Sequence, residues 1–289
     1  MATIAVNGVR LNVRRLPPRN PRGGVPPTVV FVHGAFIDSL ASFYFTLGPA
    51  FAATGFDAVL YDQRGHGRSG RPATGYTVQD FSADLAGLLD ALGIGHPVHL
   101  VGNSFGGTVA LDFAWRWPDR AASVVVIESG PATPQWAATM RAALHQATRE
   151  LPEGEALSWF VRQYGALSSA RRIAPDDPHI MRLGRGAARL IASTTIAGDI
   201  PASAVLSREE IAALRCPVLL LNGGQGLVAA QTAELASLLP RVRVAEVPGQ
   251  RHSVLVEAPR EVCRIALGWV GEQAWPSPAP GTVPGAAAR

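Results

Sequence analysis

Val98-His99-Leu100-Val101-Gly102-Asn103-Ser104-Phe105-Gly106-Gly107-Thr108 decides the reading of this chain. Residues 98–101 form a short apolar run that fits a strand. Residues 108–117 read as a helix that stops at Pro118. Between the two lies G-x-S-x-G, with Ser104 at its centre. A strand that turns this abruptly into a helix leaves no room for neighbouring side chains, which explains the glycines. The same turn lifts the serine hydroxyl above the sheet edge. Ser104 is therefore the candidate nucleophile.

The surrounding pattern agrees with that context. Thr28–Val32 (TVVFV) is a continuous apolar run ending at His33-Gly34, as a buried strand does. Asp57–Tyr61 is a second such run, ending at Asp62. Residues 77–92 carry Val78, Phe81, Leu85, Leu88, Leu89 and Leu92 at helical spacing, with Thr77 placed to cap and Gly93 to stop the helix. Residues 123–127 (SVVVI) form another strand. Alternating strands and helices imply a mostly parallel sheet covered on both faces. From residue 135 to 213 the chain is largely helical, rich in Ala, Arg and Leu, and broken by Pro152, Pro175, Pro178 and Pro201. A strand resumes after Cys216-Pro217, followed by a helix near 230–239, a last strand at 243–247 and a final helix at 259–269. Residues 275–289 are rich in Pro, Gly and Ala. The division expected is a core of 1–130 and 214–272, a helical cap at 131–213, and a disordered tail at 273–289.

Composition narrows the class. With 47% hydrophobic and 17% charged residues, the 289-residue chain has enough apolar material for a large core. The formal net charge is +4, and all 26 basic residues are Arg. They are scattered, as a G+C-rich genome would leave them, so no nucleic-acid face is expected. The densest cluster, residues 10–22, is followed by and interleaved with Pro17, Pro18, Pro21, Gly23 and Gly24 and reads as a hairpin or loop. Cys216 and Cys263 lack metal-ligand spacing, so they read as buried thiols, and no metal is expected. The start of the chain has no secretory pattern and no apolar run is long enough to span a bilayer. A soluble cytoplasmic protein is expected. Nothing in the sequence fixes its oligomeric state.

Over about residues 1–272 the chain resembles the α/β-hydrolase superfamily, in its serine-nucleophile branch with a helical lid. Beside the Ser104 turn, three stretches carry the resemblance: His33-Gly34-Ala35-Phe36, Asp62-Gln63-Arg64-Gly65-His66-Gly67-Arg68-Ser69, and Gly249-Gln250-Arg251-His252 followed by Glu257-Ala258-Pro259. The fold implied is a mostly parallel doubly wound sheet with an inserted helical cap. The resemblance implies His252 as the base that activates Ser104. It also implies an oxyanion hole from the backbone N–H groups of Phe105 and Ala35, with Phe36 as a second loop donor. His33 shapes that loop, and His66, His96, His99, His145 and His179 read as structural.

The triad acid departs from the family's habit. The loop after the strand at 218–221 commonly runs G-x-x-D, but here it reads Gly223-Gly224-Gln225-Gly226. Glu128, directly after four apolar strand residues, is the substitute expected. A branch of haloalkane dehalogenases carries its acid at this point, and an unpaired carboxylate there would be costly to bury. Glu257 is a second candidate, and a Ser–His dyad helped by Asn222 or Gln225 a third. A serine nucleophile argues against dehalogenase or epoxide-hydrolase chemistry, which uses an aspartate.

The expected activity is cleavage of an ester, thioester or lactone of a hydrophobic small molecule, such as a natural-product intermediate, through an acyl-enzyme and without a metal or organic cofactor. Phe36, Trp136, Met140 and Trp159 are the candidate pocket residues. Alternatives are a lyase, cyclase, acyltransferase or cofactor-free peroxidase on the same fold, and more remotely a non-catalytic binding protein.

Overall fold

All five residues of Thr28–Val32 are buried, as are all five of Asp57–Tyr61, because these strands are covered on both faces. The computed structural model describes residues 2–150, 178–225 and 228–275. In chain order the strands are β1 (Ala2–Val6), β2 (Val9–Leu16), β3 (Thr28–Val32), β4 (Asp57–Tyr61), β5 (Val98–Asn103), β6 (Ala121–Ile127), β7 (Val218–Gly224) and β8 (Val242–Gln250). The described helices of the core are α1 (Ala41–Tyr44), α2 (Gly48–Ala53), α3 (Val78–Ala91) and α4 (Phe105–Arg116). Those between β6 and β7 are α5 (Pro134–His145), α6 (Pro178–Ser193), α7 (Ile196–Asp199) and α8 (Arg208–Ala212). The last are α9 (Ala229–Leu238), α10 (Val254–Glu257) and α11 (Pro259–Ala274).

The strands form one sheet in the order β1-β2-β4-β3-β5-β6-β7-β8. β2 runs antiparallel to both of its neighbours, and from β4 onward every pairing is parallel. Alternate residues feed two cores. Val30, Val32, Leu100, Val124, Val126 and Leu220 face α3 and α4, while Val29, Phe31, Val101, Val125, Ile127 and Leu221 face α2 and α11. The period of two along each strand thus divides one apolar run between two layers. Since β3 and β5–β8 are parallel, their carboxyl ends share one edge, where open α/β sheets place their sites.

Local signals explain most boundaries. Thr77 caps α3 through a capping box with Asp80, and Gly93 follows the helix at φ 68°. Asn7 and Gly8, at φ 48° and 77°, make the two-residue turn between β1 and β2. The stretch 10–22, expected as a hairpin or loop, divides between the two: Arg10, Arg14 and Arg15 lie on β2, the second strand of the β1–β2 hairpin, whose alternation buries Val9, Leu11 and Val13, and the prolines and glycines follow the strand. The tail is corrected at its start. α11 extends to Ala274, and the Trp275 ring packs 4.6 Å from Phe56 with the Arg22 guanidinium 4.1 Å over it. Residues 276–289 of that expected tail lie outside the described residues.

The insertion between β6 and β7 is pinned to the core near its end. Thr195 donates its N–H to the Ala73 carbonyl (2.9 Å), and the Asp199 carboxylate accepts from the Tyr76 N–H (3.0 Å). Val78 donates to the Ser203 hydroxyl (2.9 Å), and within the insertion Leu206 donates to the Ala132 carbonyl (2.7 Å). Among the described residues, no helix is long and apolar enough to cross a membrane.

His99 is buried on β5, its Nδ1 2.8 Å from the Ser123 hydroxyl and its ring edge-on to Phe56. Burial, followed by the nearby His96, pushes its pKa down to about 4. The unfolded chain therefore binds this proton below about pH 6.5, while the folded chain resists it until about pH 4. The stability it contributes is complete above pH 6.5 and is lost as the pH falls. Urea midpoints should drop between pH 7 and pH 5, and His99→Gln should shrink the drop. An unchanged pH response would rule out this role for His99.

Candidate active site

Ser104 sits at φ 51° and ψ −126°, a region that residues with side chains rarely occupy. The surrounding packing holds it there. The Ser104 N–H donates to the Ile127 carbonyl (2.8 Å), extending the β5–β6 ladder by one bond. α4 begins at the next residue, and a side chain at Gly106 would overlap the Val32 carbonyl. Only glycine lets the helix start this close to β3. The Phe105 N–H, in the first turn of α4, has no acceptor within the helix.

His252 lies in the turn between β8 and α10. Its Nε2 is 2.9 Å from the Ser104 Oγ. On the ring's other side, Nδ1 is 3.6 Å from Glu128 Oε2, within ion-pair range and longer than a direct hydrogen bond. Glu128 directly follows β6 at φ 49° and is 1% exposed. Its N–H donates to the Leu221 carbonyl (3.0 Å), and its Oε1 accepts the Gly223 N–H (2.5 Å). A Cβ on Gly223 would stand 2.5 Å from the Gln250 carbonyl carbon and 2.7 Å from the Arg251 nitrogen. Glycine at 223 therefore lets the end of β7 touch both the carboxylate and the segment that carries His252.

The structure thus brings Ser104, His252 and Glu128 together from the ends of β5, β8 and β6. Gly226 lies outside the described residues. Asn222 donates its amide to the Thr232 hydroxyl (2.6 Å), and the Gln225 N–H donates to the Gln250 carbonyl (3.2 Å). Glu257 ends the single turn of α10.

The loop after β3 runs beside the nucleophile: a Cβ on Gly34 would be 3.5 Å from the Ser104 Cβ. Gly34 donates its N–H to the Asp38 carboxylate (2.7 Å). The Phe36 N–H donates to His66 Nε2 (2.8 Å), which corrects the expectation that it serves as a loop donor to substrate. Burial pushes the His66 pKa down to about 3, so the ring is neutral and its Nε2 lone pair stays available to that N–H. This contact and the Gly223–Glu128 bond escaped the sequence reading. The motifs containing His66 and Gly223 were visible, but the backbone approaches they make were not.

Phe105, next to Ser104 in sequence, joins a run of aromatic rings. Phe105 is edge-on to Phe81 at 5.0 Å, and Trp136 stacks on Phe105 at 6.5 Å and 19°. Thr133 caps α5 by accepting the Trp136 N–H (3.1 Å), which fixes where the indole enters. Phe36, Trp136 and Met140 are partly buried against this core. Trp159 lies outside the described residues.

Comparison with known proteins follows this geometry. The family described as alpha/beta hydrolase fold matches residues 27–259. A 2-(acetamidomethylene)succinate hydrolase from Mesorhizobium japonicum is 28% identical over 279 residues, covering 92% of this chain and 94% of that protein. The structure of an esterase from Thermogutta terrifontis superposes with a TM-score of 0.72 at 22% identity, covering 94% of this chain and 97% of that one. An N-acyl homoserine lactone degrading enzyme gives a TM-score of 0.72 at 22% identity, covering 93% and 100%. The chain is an enzyme of the alpha/beta-hydrolase superfamily and belongs to the alpha/beta hydrolase fold family.

Proposed function

We propose that the protein is a serine hydrolase that cleaves an ester, thioester or lactone of a hydrophobic small molecule. The observation that carries this reading is the 2.9 Å contact between Ser104 Oγ and His252 Nε2, with Glu128 behind the ring at Nδ1. His252 takes the hydroxyl proton as Ser104 attacks the carbonyl carbon. The resulting oxyanion is received by the N–H groups of Phe105 and Ala35. The tetrahedral species collapses as the imidazolium protonates the leaving alkoxide or thiolate. Water, deprotonated by the same imidazole, then releases the acyl group and restores Ser104. Glu128 holds the ring in the Nδ1–H tautomer and balances the imidazolium charge.

The insertion at 131–213, of which 151–177 lie outside the described residues, acts as a cap in this scheme, with Trp136, Met140 and Phe36 as the pocket side chains. The relatives named as a hydrolase, an esterase and a lactone degrading enzyme support a hydrolytic reading.

A p-nitrophenyl ester should be turned over, a fluorophosphonate should label Ser104, and Ser104→Ala should abolish both. A folded enzyme whose Ser104 never labels would contradict the proposal. Glu128→Gln should lower kcat by about two to four orders of magnitude, while Glu257→Gln stays near wild type. The opposite pattern in steady-state kinetics would transfer the acid role to Glu257.

A further inference from the structure

Residues 34–37 present four consecutive backbone N–H groups beside Ser104. Three have acceptors within the protein: Gly34 donates to Asp38, Phe36 to His66, and Ile37 to the Ala35 carbonyl (2.8 Å). The fourth, Ala35, is the one the proposed reaction uses. The Ile37-to-Ala35 bond closes a three-residue turn around Phe36 at φ 66°, a left-handed γ-turn that is rare and strained for a residue with a side chain. Such a turn persists only where its surroundings hold it.

The hold comes from two buried imidazoles arranged reciprocally. His33, at the end of β3, accepts the Gln63 N–H from the β4 side on its Nε2 (3.0 Å). His66, on the β4 side, accepts the Phe36 N–H from the β3 side on its Nε2 (2.8 Å). Nδ1 of His33 faces the Gly34 carbonyl (2.7 Å), and Nδ1 of His66 faces the Arg64 carbonyl (2.8 Å). Carbonyls only accept and backbone N–H groups only donate, so each ring carries its proton on Nδ1 and a lone pair on Nε2. The rings lie 5.3 Å apart, edge to face, and the Gln63 side chain further ties the loops by donating to the His33 carbonyl (2.6 Å).

We propose that His66 is a positioning residue for acyl transfer: by accepting the Phe36 N–H it sets the strained turn that points the Ala35 N–H at the developing oxyanion, with His33 as its mirror partner. This rests on the Ser104 reading above. His66 touches neither substrate nor nucleophile in this scheme. Its effect should therefore appear in transition-state stabilisation rather than in substrate binding.

The test compares His66→Leu, which has no acceptor, with His66→Gln, whose amide oxygen can reach the Phe36 N–H. The substrate is a p-nitrophenyl ester and the transition-state probe a trifluoromethyl ketone, which adds to the serine as a hemiketal. For His66→Leu, kcat and ketone affinity should each fall about 10- to 100-fold, with KM changed less than about threefold. His66→Gln should recover most of both. A folded His66→Leu enzyme with wild-type kcat, or a Gln variant no better than Leu, overturns the proposal. Should the Leu variant fail to fold, wild-type enzyme decides the matter. Long-range 1H–15N spectra at pH 7 should show His33 and His66 as neutral Nδ1–H tautomers, and a proton on His66 Nε2 overturns the inference. Wild-type Ser104 is labelled with a fluorophosphonate in parallel. Labelling with an unaffected His66→Leu enzyme rejects the positioning role alone, whereas no labelling rejects the acyl-transfer reading and the positioning role with it.

Discussion

The backbone of Ser104 is the constraint on which the site depends. A serine at φ 51° costs conformational energy that the surrounding structure must offset. It is held there by the sheet, through the bond to Ile127, and by a helix that starts hard against the Val32 carbonyl at Gly106. Both supports, Ile127 and Val32, are fully buried strand residues, whose packing resists small shifts. Because β3, β5 and β6 are locked in register around this turn, the loops that leave them arrive at fixed places. The early loop passes beside the serine, and Glu128 emerges one strand away.

The charge arrangement follows from the same edge. Glu128 is a carboxylate with almost no exposure, and such a group stays in a folded interior only when its oxygens are met. One oxygen accepts the Gly223 N–H and the other faces the His252 ring. The imidazole thus lies between a hydroxyl and a buried carboxylate. In the proposed reaction, proton transfer from the hydroxyl to the ring would place an imidazolium beside that carboxylate, a change the local field favours.

Much of this was legible in the sequence because it depended on residue type and order. Continuous apolar runs marked the buried strands, and Thr77 and Gly93 bounded a helix as their chemistry requires. The G-x-S-x-G turn located Ser104 between strand and helix, and the isolated Glu128 after an apolar strand drew attention because of its burial cost. Legibility failed where backbone met backbone. Nothing in the order of residues shows that Phe36 donates to His66, or that Gly223 touches both Glu128 and the Gln250–Arg251 peptide. The arginine-rich stretch left hairpin and loop undivided. Its prolines and glycines belong to the turn after β2, while Arg10 lies between buried Val9 and Leu11, and Arg14 and Arg15 follow buried Val13 along the same strand. Trp275 was grouped with the Pro-rich segment that follows it, although its ring covers Phe56.

Delivery of the carboxylate from β6 also bears on how this scaffold could vary. Ser104 and Glu128 stand on adjacent, hydrogen-bonded strands, so the two are spaced by the sheet itself. In the proposed triad, the connection from β7 to α9, past Gly223 which still holds the carboxylate, is relieved of supplying an acid. That connection becomes a place where a laboratory could lengthen the chain or graft a reporter peptide. The same alteration at the end of β6 would disturb the carboxylate that faces His252.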